Sequence, residues 1–451
     1  MFDAGKLACD VNGVWNNIPE IAVCGIETDT RKELAGKLFV ALKGERFDAH
    51  DFLDSAFAKG AVLCVNKDKI NSIPAGANAL VVDDTLAAYQ RMAKSHRLQN
   101  NDLKVLAVTG SVGKTSVKEM LRAILCEFLG ENQIVYTIGN TNNHIGVPQN
   151  LLRLSSETKA AVIEMGTSSP GEIAVLSEMA VPDIALVNSI APCHLENLID
   201  LEGVAREKGD IFKFLKPDGI AVIPGDIAET GLLKECAGNH KIVTFGEIDT
   251  CADIKSEFIC GDLCGSKFKL YIDSQSFEIS WNLTGRHQCR NAAAAAAAAY
   301  SMGIPSNIIV SGLQKTVLPG MRGKLISVNG AVILNDAYNA SPASMTAVLK
   351  MFAETGISGK CVLLLGTMLE LGKESKQEHQ KILSLARKLF PAGVIITVGS
   401  GFEDLFGADQ HFDQSADALE TVTSLCSPET YILVKGSRGT ALEKAIPQEA
   451  V

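Results

Sequence analysis

The chain has 451 residues, and 47% of them are hydrophobic, enough to fill roughly three domains of about 150 residues each. Its net charge of −10 argues against a nucleic-acid partner, because proteins that bind nucleic acids usually carry a basic surface. No apolar run approaches the length of a membrane span, and the N-terminus lacks the layout of a signal peptide, so we expect a cytoplasmic protein.

The first hundred residues contain short apolar runs, such as residues 37–42 and 61–65, separated by glycine and charged turns. This pattern predicts a small α/β domain over residues 1–100. The polar segment 97–102 then marks a boundary before the next strand.

An apolar run, a glycine-rich turn and an amphipathic segment follow one another from residue 104 to residue 129. The spacing predicts a buried strand, a phosphate-binding loop and a helix. Backbone N–H groups of residues 110–115 can surround phosphate oxygens, Lys114 can reach the terminal phosphates, and the Thr115 hydroxyl can bind Mg²⁺. Val108 stands where the usual pattern has its first glycine, so the loop is a shortened variant. The alternative is an ordinary turn, which Gly-Lys-Thr in this context disfavours.

Apolar strands and helical stretches then alternate, with strands predicted at residues 160–165, 184–188 and 220–223. This alternation predicts a mostly parallel sheet covered by helices, over residues 101–316. Eight consecutive alanines at 292–299 predict a closely packed helix. A third α/β unit is predicted over residues 317–451.

Several predicted strands end in side chains that can bind ligands. Glu164 ends one strand and could bind Mg²⁺ beside the phosphate loop. His194 follows another strand and could be a metal ligand or merely a solvated side chain, and Lys208 taken alone is a surface residue. The polar loop 139–148 suits phosphates, sugars or peptide carbonyls, although turn chemistry explains the same composition.

Three loops in the last third of the chain, at residues 335–342, 366–372 and 435–439, each follow a predicted strand. Their Asp, Glu, Lys and Arg side chains suggest one shared binding face. Each loop in isolation could equally be a hairpin or a helix cap. The twelve cysteines form no Cys-x-x-Cys pair, so we expect buried, reduced thiols rather than disulfides or a zinc site.

Taken together, the motifs resemble those of the Mur ligase family over essentially the whole chain. The motifs lie at residues 109–115, 140–148, 164–166, 194–196, 205–212, 285–287, 336–339 and 433–438. The segments 28–31, 38–44, 368–372 and 435–438 are most similar to the member that adds D-alanyl-D-alanine to UDP-N-acetylmuramoyl-tripeptide. The resemblance implies three α/β domains, with the phosphate loop in a central parallel sheet, a smaller N-terminal domain and a Rossmann-like C-terminal domain.

The resemblance also implies an ATP-dependent amide ligation in two steps. The peptide carboxylate first attacks the γ-phosphate to give an acyl phosphate, and the dipeptide amine then expels phosphate. Two Mg²⁺ ions would assist, and the lysine at position 208 would react with CO₂ to give a carbamate that binds metal. A monomer is expected.

The resemblance assigns the candidate residues to roles. The catalytic residues would be Lys114, His194 and Lys208. The metal ligands would be Thr115, Glu164, His194 and Lys208. The nucleotide would contact Thr109, Gly110, Ser111, Val112, Gly113, Lys114, Thr115, Asn291, Arg322 and Asp336. The uridine diphosphate would lie near Thr28, Asp29, Thr30, Arg31 and the segment 43–47, which begins with Lys43. The other substrate-binding residues would be Asn142, Asn143, His144, Tyr338, Asn339, Leu369, Lys435, Ser437 and Arg438.

Three positions differ from the usual residues of the family: Gln288, Ser341 and Thr367. The last two are expected on the dipeptide side, so the amine substrate is less firmly defined than the ligation chemistry. Two alternatives within the same architecture are a ligase that adds a diamino acid and a folylpolyglutamate synthase. An alternative of another class is a nucleotide-binding scaffold without catalysis, which the combined presence of the catalytic and metal-binding residue types disfavours.

Overall fold

The computed structural model describes residues 1–20, 22–44 and 47–447. Three separate β-sheets follow one another along the chain, and helices pack against them. This mixed α/β architecture confirms the predicted fold class. In the described part of the chain, no helix is both long and apolar enough to cross a membrane.

The N-terminal unit contains a five-stranded sheet with the strand order β1-β5-β4-β3-β2. Its strands are β1 (Val14–Trp15), β2 (Ile26–Glu27), β3 (Leu38–Val40), β4 (Val62–Asn66) and β5 (Ala79–Val82), and its helices are α1 (Ala4–Val11), α2 (Leu53–Ala58) and α3 (Thr85–Leu98). Strands β2 to β5 are parallel, and β1 is antiparallel to β5. Because β2 and β3 are parallel neighbours, the loops that follow them lie at the same edge of the sheet.

The middle unit contains a nine-stranded sheet with the order β14-β13-β12-β11-β10-β9-β6-β8-β7. Its strands are β6 (Lys104–Thr109), β7 (Ile134–Tyr136), β8 (Ala160–Glu164), β9 (Ile184–Val187), β10 (Ile220–Pro224), β11 (Lys241–Glu247), β12 (Ile254–Asp262), β13 (Gly265–Ile272) and β14 (Gln275–Trp281). Its helices are α4 (Lys114–Leu129), α5 (Gly146–Leu151), α6 (Glu172–Ala180), α7 (Leu195–Leu198), α8 (Leu201–Gly209), α9 (Thr230–Ala237), α10 (Arg286–Ser301) and α11 (Ser306–Gln314).

Strands β6 to β12 of this sheet are parallel, whereas β13 and β14 extend it as an antiparallel meander. The central strand β6 is buried from Val105 to Thr109 because helices cover both faces of the sheet. All eight alanines of α10 are fully buried, as the sequence predicts for a helix that packs closely against its neighbours.

The C-terminal unit contains a six-stranded sheet with the order β15-β16-β20-β17-β18-β19. Its strands are β15 (Lys324–Val328), β16 (Ala331–Asn335), β17 (Lys360–Gly366), β18 (Val394–Val398), β19 (Gln410–Phe412) and β20 (Thr430–Lys435), and its helices are α12 (Pro342–Glu354), α13 (Ser375–Leu389) and α14 (Leu419–Leu425). The neighbours β16, β20 and β17 are parallel, so the three loops predicted to share a binding face all leave the same edge of this sheet.

All twelve cysteines are free thiols. The expectation that they are buried holds for Cys64, Cys289 and Cys426. It is wrong for the others, of which four are half-buried (Cys126, Cys193, Cys236 and Cys361) and five are exposed (Cys9, Cys24, Cys251, Cys260 and Cys264). Cys264 lies in the turn between β12 and β13 and Cys260 near the end of β12, and a hairpin turn at the end of a sheet lies in solvent.

Candidate active site

A cavity of about 750 Å³ lies between the middle and C-terminal units. Most of the residues that the sequence analysis selected line it: Ser111, Val112, Gly113, Lys114, Thr115, Asn142, Asn143, His144, Glu164, His194, Asn291, Arg322, Asp336, Tyr338, Asn339, Leu369, Lys435, Ser437 and Arg438. The fold thus brings side chains from both units to one space.

The phosphate-binding loop connects β6 to α4, and its conformation requires glycine at position 113. Gly113 has a φ of 79°, in the left-handed region. A Cβ atom there would lie 2.4 Å from Nδ2 of Asn188 and 2.6 Å from Oδ1 of Asn291. These two amides also bond to each other at 2.9 Å, and Nδ2 of Asn188 donates to the carbonyl of Val112 at 3.0 Å. These bonds fix the loop, as do those from the N–H groups of Ser111 and Val112 to Ser189 (both 2.9 Å), so the N-terminus of α4 is the part that can bind an anion.

Lys114 lies over its own loop. Its Nζ donates a hydrogen bond to the carbonyl of Gly110 at 2.7 Å. The ammonium group thus sits at the mouth of the loop, where a phosphate bound by the backbone N–H groups would meet it.

Glu164 ends β8 with one carboxylate oxygen bonded and the other unpaired. Its Oε1 accepts from Nδ2 of Asn142 at 2.9 Å and from Oγ1 of Thr115 at 3.3 Å. Its Oε2 is buried and has no hydrogen-bond partner among the described residues. An unpaired buried oxygen is costly unless a ligand satisfies it, so this atom, together with the Thr115 hydroxyl, fits a divalent cation.

Arg322 reaches Thr115 from the C-terminal unit. Its Nη2 donates to Oγ1 of Thr115 at 3.2 Å, and its guanidinium carbon lies 3.5 Å from the centre of the Tyr338 ring. The stacking fixes the direction of the guanidinium group, which places a permanent positive charge beside the phosphate loop.

His194 forms a second link between the two units. Its Nδ1 lies 2.8 Å from Oε2 of Glu370, a residue of the loop after β17. The hydrogen bond from His194 is the largest cause that lowers the pKa of Glu370, and the charge of Lys114 acts in the same direction. Glu370 was not among the predicted site residues. Its sequence motif shows only an acidic residue in a turn, and its partner His194 belongs to another unit.

Lys208 is buried in α8, with 1% of its surface exposed, and is therefore not a surface residue. None of the hydrogen bonds or ion pairs between described residues involves its Nζ. Burial, followed by repulsion from Lys114, lowers its pKa to about 8. A lysine in this environment is partly neutral near physiological pH, and a neutral amine is a nucleophile.

On the C-terminal side, Lys435 anchors the loop after β16. Its Nζ donates to Oδ2 of Asp336 at 2.7 Å and to the carbonyl of Asn339 at 3.0 Å. His287 also lines the cavity, and burial lowers its pKa to about 4, so the ring is neutral and can donate a hydrogen bond from one nitrogen and accept one at the other.

Some predicted residues lie elsewhere. Lys208 and Gly110 are not among the described residues that line the cavity. Neither is Thr109, whose hydroxyl donates to the carbonyl of Met165 at 2.8 Å and links β6 to the end of β8.

Of the three residues that differ from the family pattern, Thr367 lies away from the cavity. It is buried, and its hydroxyl oxygen accepts from the N–H of Gly401 at 3.0 Å. Ser341 lines the cavity and caps α12. Gln288 lines the cavity as well.

The predicted uridine-diphosphate residues are in the N-terminal unit and do not line this cavity. The turn Thr28, Asp29, Thr30 and Arg31 follows β2, and Lys43 follows β3. Nε of Arg31 donates to Asp29 at 2.9 Å, and this bond is the main cause that lowers the pKa of Asp29 to about 2. Residues 45 and 46 of the predicted segment 43–47 lie outside the described residues.

Within the described ranges, no group of three or more His, Cys, Asp or Glu side chains is arranged to hold a metal ion. The ligands predicted for the cations include the hydroxyl of Thr115 and a carbamate of Lys208, and neither of these is a His, Cys, Asp or Glu side chain. The fit to a cation therefore depends on Glu164 and Thr115, as described above.

Comparisons with known proteins agree on one family. Residues 108–299 match the Mur ligase middle domain, and residues 321–438 match the Mur ligase glutamate ligase domain. The UDP-N-acetylmuramoyl-tripeptide–D-alanyl-D-alanine ligase of Escherichia coli is 38% identical over 95% of this chain and 94% of its own length, and the enzyme of the same name from Bacillus subtilis is 35% identical over 95% and 93%. A crystal structure of MurF from Acinetobacter baumannii superposes with a TM-score of 0.90 at 33% identity, covering 98% of this chain and 97% of that one. The chain belongs to the Mur ligase family.

Proposed function

We propose that this protein is an ATP-dependent ligase that joins D-alanyl-D-alanine to UDP-N-acetylmuramoyl-tripeptide. The observation that carries the proposal is the cavity, in which a phosphate-binding loop of the middle unit faces cationic and amide groups of the C-terminal unit. The similarity to two enzymes of this activity over nearly the whole chain supports the choice of substrates. Because the reaction consumes ATP, we place it in the cytoplasm.

The nucleotide phosphates bind the N–H groups of the loop at the N-terminus of α4, and Lys114 turns from the Gly110 carbonyl to the terminal phosphates. Arg322 adds a second positive charge from the opposite unit. Asn291 and Asp336 contact the rest of the nucleotide. Positioning and charge stabilisation of this kind supply most of the catalysis in phosphoryl transfer.

Two Mg²⁺ ions would be held by Thr115 and Glu164 on one side and by His194 and a carbamate of Lys208 on the other. When bound, they would neutralise phosphate charge and polarise the transferred group. The unpaired Oε2 of Glu164 supports the first of these sites.

In the first step, a carboxylate oxygen of the tripeptide attacks the γ-phosphorus, the bond from phosphorus to the bridging oxygen breaks, and ADP leaves. In the second step, the dipeptide nitrogen attacks the acyl carbon, the bond from carbon to the phosphate oxygen breaks, and the amine loses a proton as phosphate leaves. Lys114 and Arg322 stabilise the charge that develops on the transferred group. The two units enclose the acyl phosphate and keep water away from it.

The carbamate of Lys208 forms when its neutral amine attacks CO₂ and loses a proton. A pKa of about 8 leaves about one molecule in ten neutral at pH 7, against about one in three thousand for an ordinary lysine. The carbamate replaces a buried cation with an anion, which is the charge that two divalent ions nearby require.

The identity of the amine substrate can be tested by comparing candidate amines. Purified protein would be incubated with ATP, Mg²⁺ and UDP-N-acetylmuramoyl-tripeptide, and separately with each candidate amine: D-alanyl-D-alanine, D-alanine, a diamino acid and glutamate. We expect a pentapeptide product, identified by mass, with D-alanyl-D-alanine alone. A parallel reaction with the muramoyl dipeptide and a diamino acid tests the sibling activity. Product in that reaction instead would refute the assignment.

A further inference from the structure

The contact between His194 and Glu370 crosses from the middle unit to the C-terminal unit at the edge of the cavity. Nδ1 of His194 lies 2.8 Å from Oε2 of Glu370. A neutral imidazole carries one N–H, so when Nδ1 donates to the carboxylate, Nε2 keeps its lone pair. This is the form in which a histidine binds a cation, and a carboxylate behind the ring is a common way to fix it.

The backbone on both sides of this contact is unusual. His194 has a φ of 51° and Glu370 a φ of 67°, and neither is glycine. Non-glycine residues in the left-handed region are costly and concentrate at functional sites. The same two loops also approach each other at Gly372, where an added Cβ atom would lie 3.6 Å from Cβ of Glu196, an ordinary van der Waals separation.

We propose that Glu370 is a positioning residue that sets the tautomer and orientation of His194, and that it does so only when the C-terminal unit is closed against the middle unit. The inference rests on the proposed function, since it assumes that His194 serves the cation site. It makes the C-terminal unit part of that site, although none of the predicted metal ligands lies in this unit. Closure thereby prepares the site for phosphoryl transfer as well as bringing the amine substrate near.

The first test is spectroscopic and does not depend on turnover. The full chain, labelled with ¹⁵N-histidine and saturated with ADP in the absence of divalent cations, would be compared with Glu370→Ala and Glu370→Gln. The signal of His194 would be assigned with His194→Asn. We expect the protonated nitrogen of His194 to be Nδ1 in the wild type. In Glu370→Ala the population should shift toward the Nε2–H tautomer, with a smaller shift in Glu370→Gln, whose amide oxygen still accepts.

The second test measures Mn²⁺ binding to the same ADP complexes by electron paramagnetic resonance. Loss of a carboxylate behind a metal-binding histidine typically weakens affinity about 10- to 100-fold, and we expect a change of this size in Glu370→Ala. The matched control is Glu354→Gln, which breaks the ion pair of Glu354 with Arg286 (3.4 Å) across the same boundary but outside the phosphate loop. This control should leave both the tautomer and Mn²⁺ affinity unchanged.

An unchanged tautomer in Glu370→Ala would overturn the proposal, as would an equal loss of affinity in Glu354→Gln. A third result would also overturn it: normal Mn²⁺ binding in Glu370→Ala with a raised KM for the dipeptide alone, which would make Glu370 a substrate-binding residue. If the wild type showed no ligase activity, the proposed function would fail while the tautomer and Mn²⁺ measurements would still decide the role of Glu370.

Discussion

At the scale of single residues, two lysines near the phosphate loop have opposite surroundings. Lys114 bonds to a loop carbonyl and faces the cavity, whereas Lys208 is enclosed and has no polar partner within the described ranges. The first can therefore meet a bound phosphate, whereas burial lowers the pKa of the second and favours loss of its proton. These environments lead to different predictions for the two side chains.

Lys114→Ala is expected to abolish turnover and leave the fold intact. The side chain bonds only to carbonyls of its own loop, and its charge matters most when charge develops on the transferred phosphoryl group. Removing one such contact typically raises the barrier by about 3–4 kcal/mol, so the rate should fall on the order of 10²- to 10³-fold. Steady-state phosphate release and thermal melting check this, with the exposed Lys241→Ala as control. Normal ligation by folded Lys114→Ala would contradict the assignment.

Lys208→Ala is expected to be inactive and to recover part of its activity when acetate or formate is added, because a small carboxylate can occupy the place of the carbamate. Lys208→Arg keeps a cation that cannot form a carbamate, and it should be neither active nor rescued. The measurement is ligase activity against carboxylate concentration. Full activity of Lys208→Arg would contradict the carbamate.

The same lysine predicts a pH dependence. After CO₂ is removed, activity should return when bicarbonate is added, and the neutral amine is the reacting form. The folded-state pKa of about 8 lies below the ordinary value, so, when bicarbonate is adjusted to keep dissolved CO₂ constant, the rate of recovery should rise as pH increases toward 8 and level off above it. A rate of recovery that keeps rising toward pH 10 would mean that the pKa of Lys208 is not lowered.

A site residue could be predicted when a few consecutive residues contain the whole pattern on which its role depends. The phosphate loop and the carboxylate at the end of β8 could be predicted because strand, turn and ligand chemistry occur together in a few consecutive residues. Glu370 could not, because its partner His194 is brought near only by the packing of two units. Thr367 shows the converse: its position in a motif suggested a substrate contact, whereas its hydroxyl bonds inside the C-terminal unit.

At the scale of elements, the apolar runs in the parallel strands and the alanine-rich helix gave strong sequence patterns, and the structure has these elements where the patterns predict them. Strand β12 and the antiparallel strands β13 and β14 were not predicted. Strand β13 alternates between half-buried and buried residues along its whole length, which is the pattern of a strand with one covered face. The sequence therefore carried a signal, but polar residues on the outer face interrupt the apolar runs that were used to find strands.

Gly312 allows α11 to pack against α4. A Cβ atom at this position would lie 2.4 Å from Cα of Ile124, which is backbone and cannot move aside. We expect Gly312→Ala to lower the free energy of unfolding by about 1–3 kcal/mol, the usual cost of overpacking. Gly231→Ala in α9 is the matched control, because its Cβ would meet no atom within 4 Å, and it should be neutral or stabilising by up to about 1 kcal/mol. Chemical denaturation measures both, and equal effects would mean that the close approach of α11 is not needed.

At the scale of the whole molecule, the two boundaries between units differ in how they are held. Between the N-terminal and middle units, Arg97 is buried and its Nε donates to the carbonyl of Ala180 at 3.0 Å, beside Asp183. Between the middle and C-terminal units, the hydrogen bond between His194 and Glu370 and the ion pair of Arg286 with Glu354 are partly exposed. Exposed pairs contribute little to stability, so the second boundary is the one that can open. Because these contacts join segments that are distant along the chain, the sequence alone could not show which boundary is held more firmly.

We therefore expect the C-terminal unit to move toward the middle unit when ATP and the muramoyl peptide bind. Fluorophores at exposed sites, one on α13 and one on α9, should report a shorter distance with a nonhydrolysable ATP analogue and the muramoyl substrate than without them. A second pair on α1 and α9 should report no change. Equal changes in both pairs would mean that the hinge is not confined to the second boundary.

The central claim is ligation through an acyl phosphate, and an oxygen label tests it most directly. UDP-N-acetylmuramoyl-tripeptide carrying ¹⁸O in both oxygens of its reacting carboxylate would be incubated with the protein, ATP, Mg²⁺ and D-alanyl-D-alanine, and the products would be weighed by mass spectrometry. We predict one ¹⁸O atom in the released phosphate, one in the new amide carbonyl of the pentapeptide and none in ADP. Label recovered in AMP, or unlabelled phosphate released together with the pentapeptide, would contradict the account.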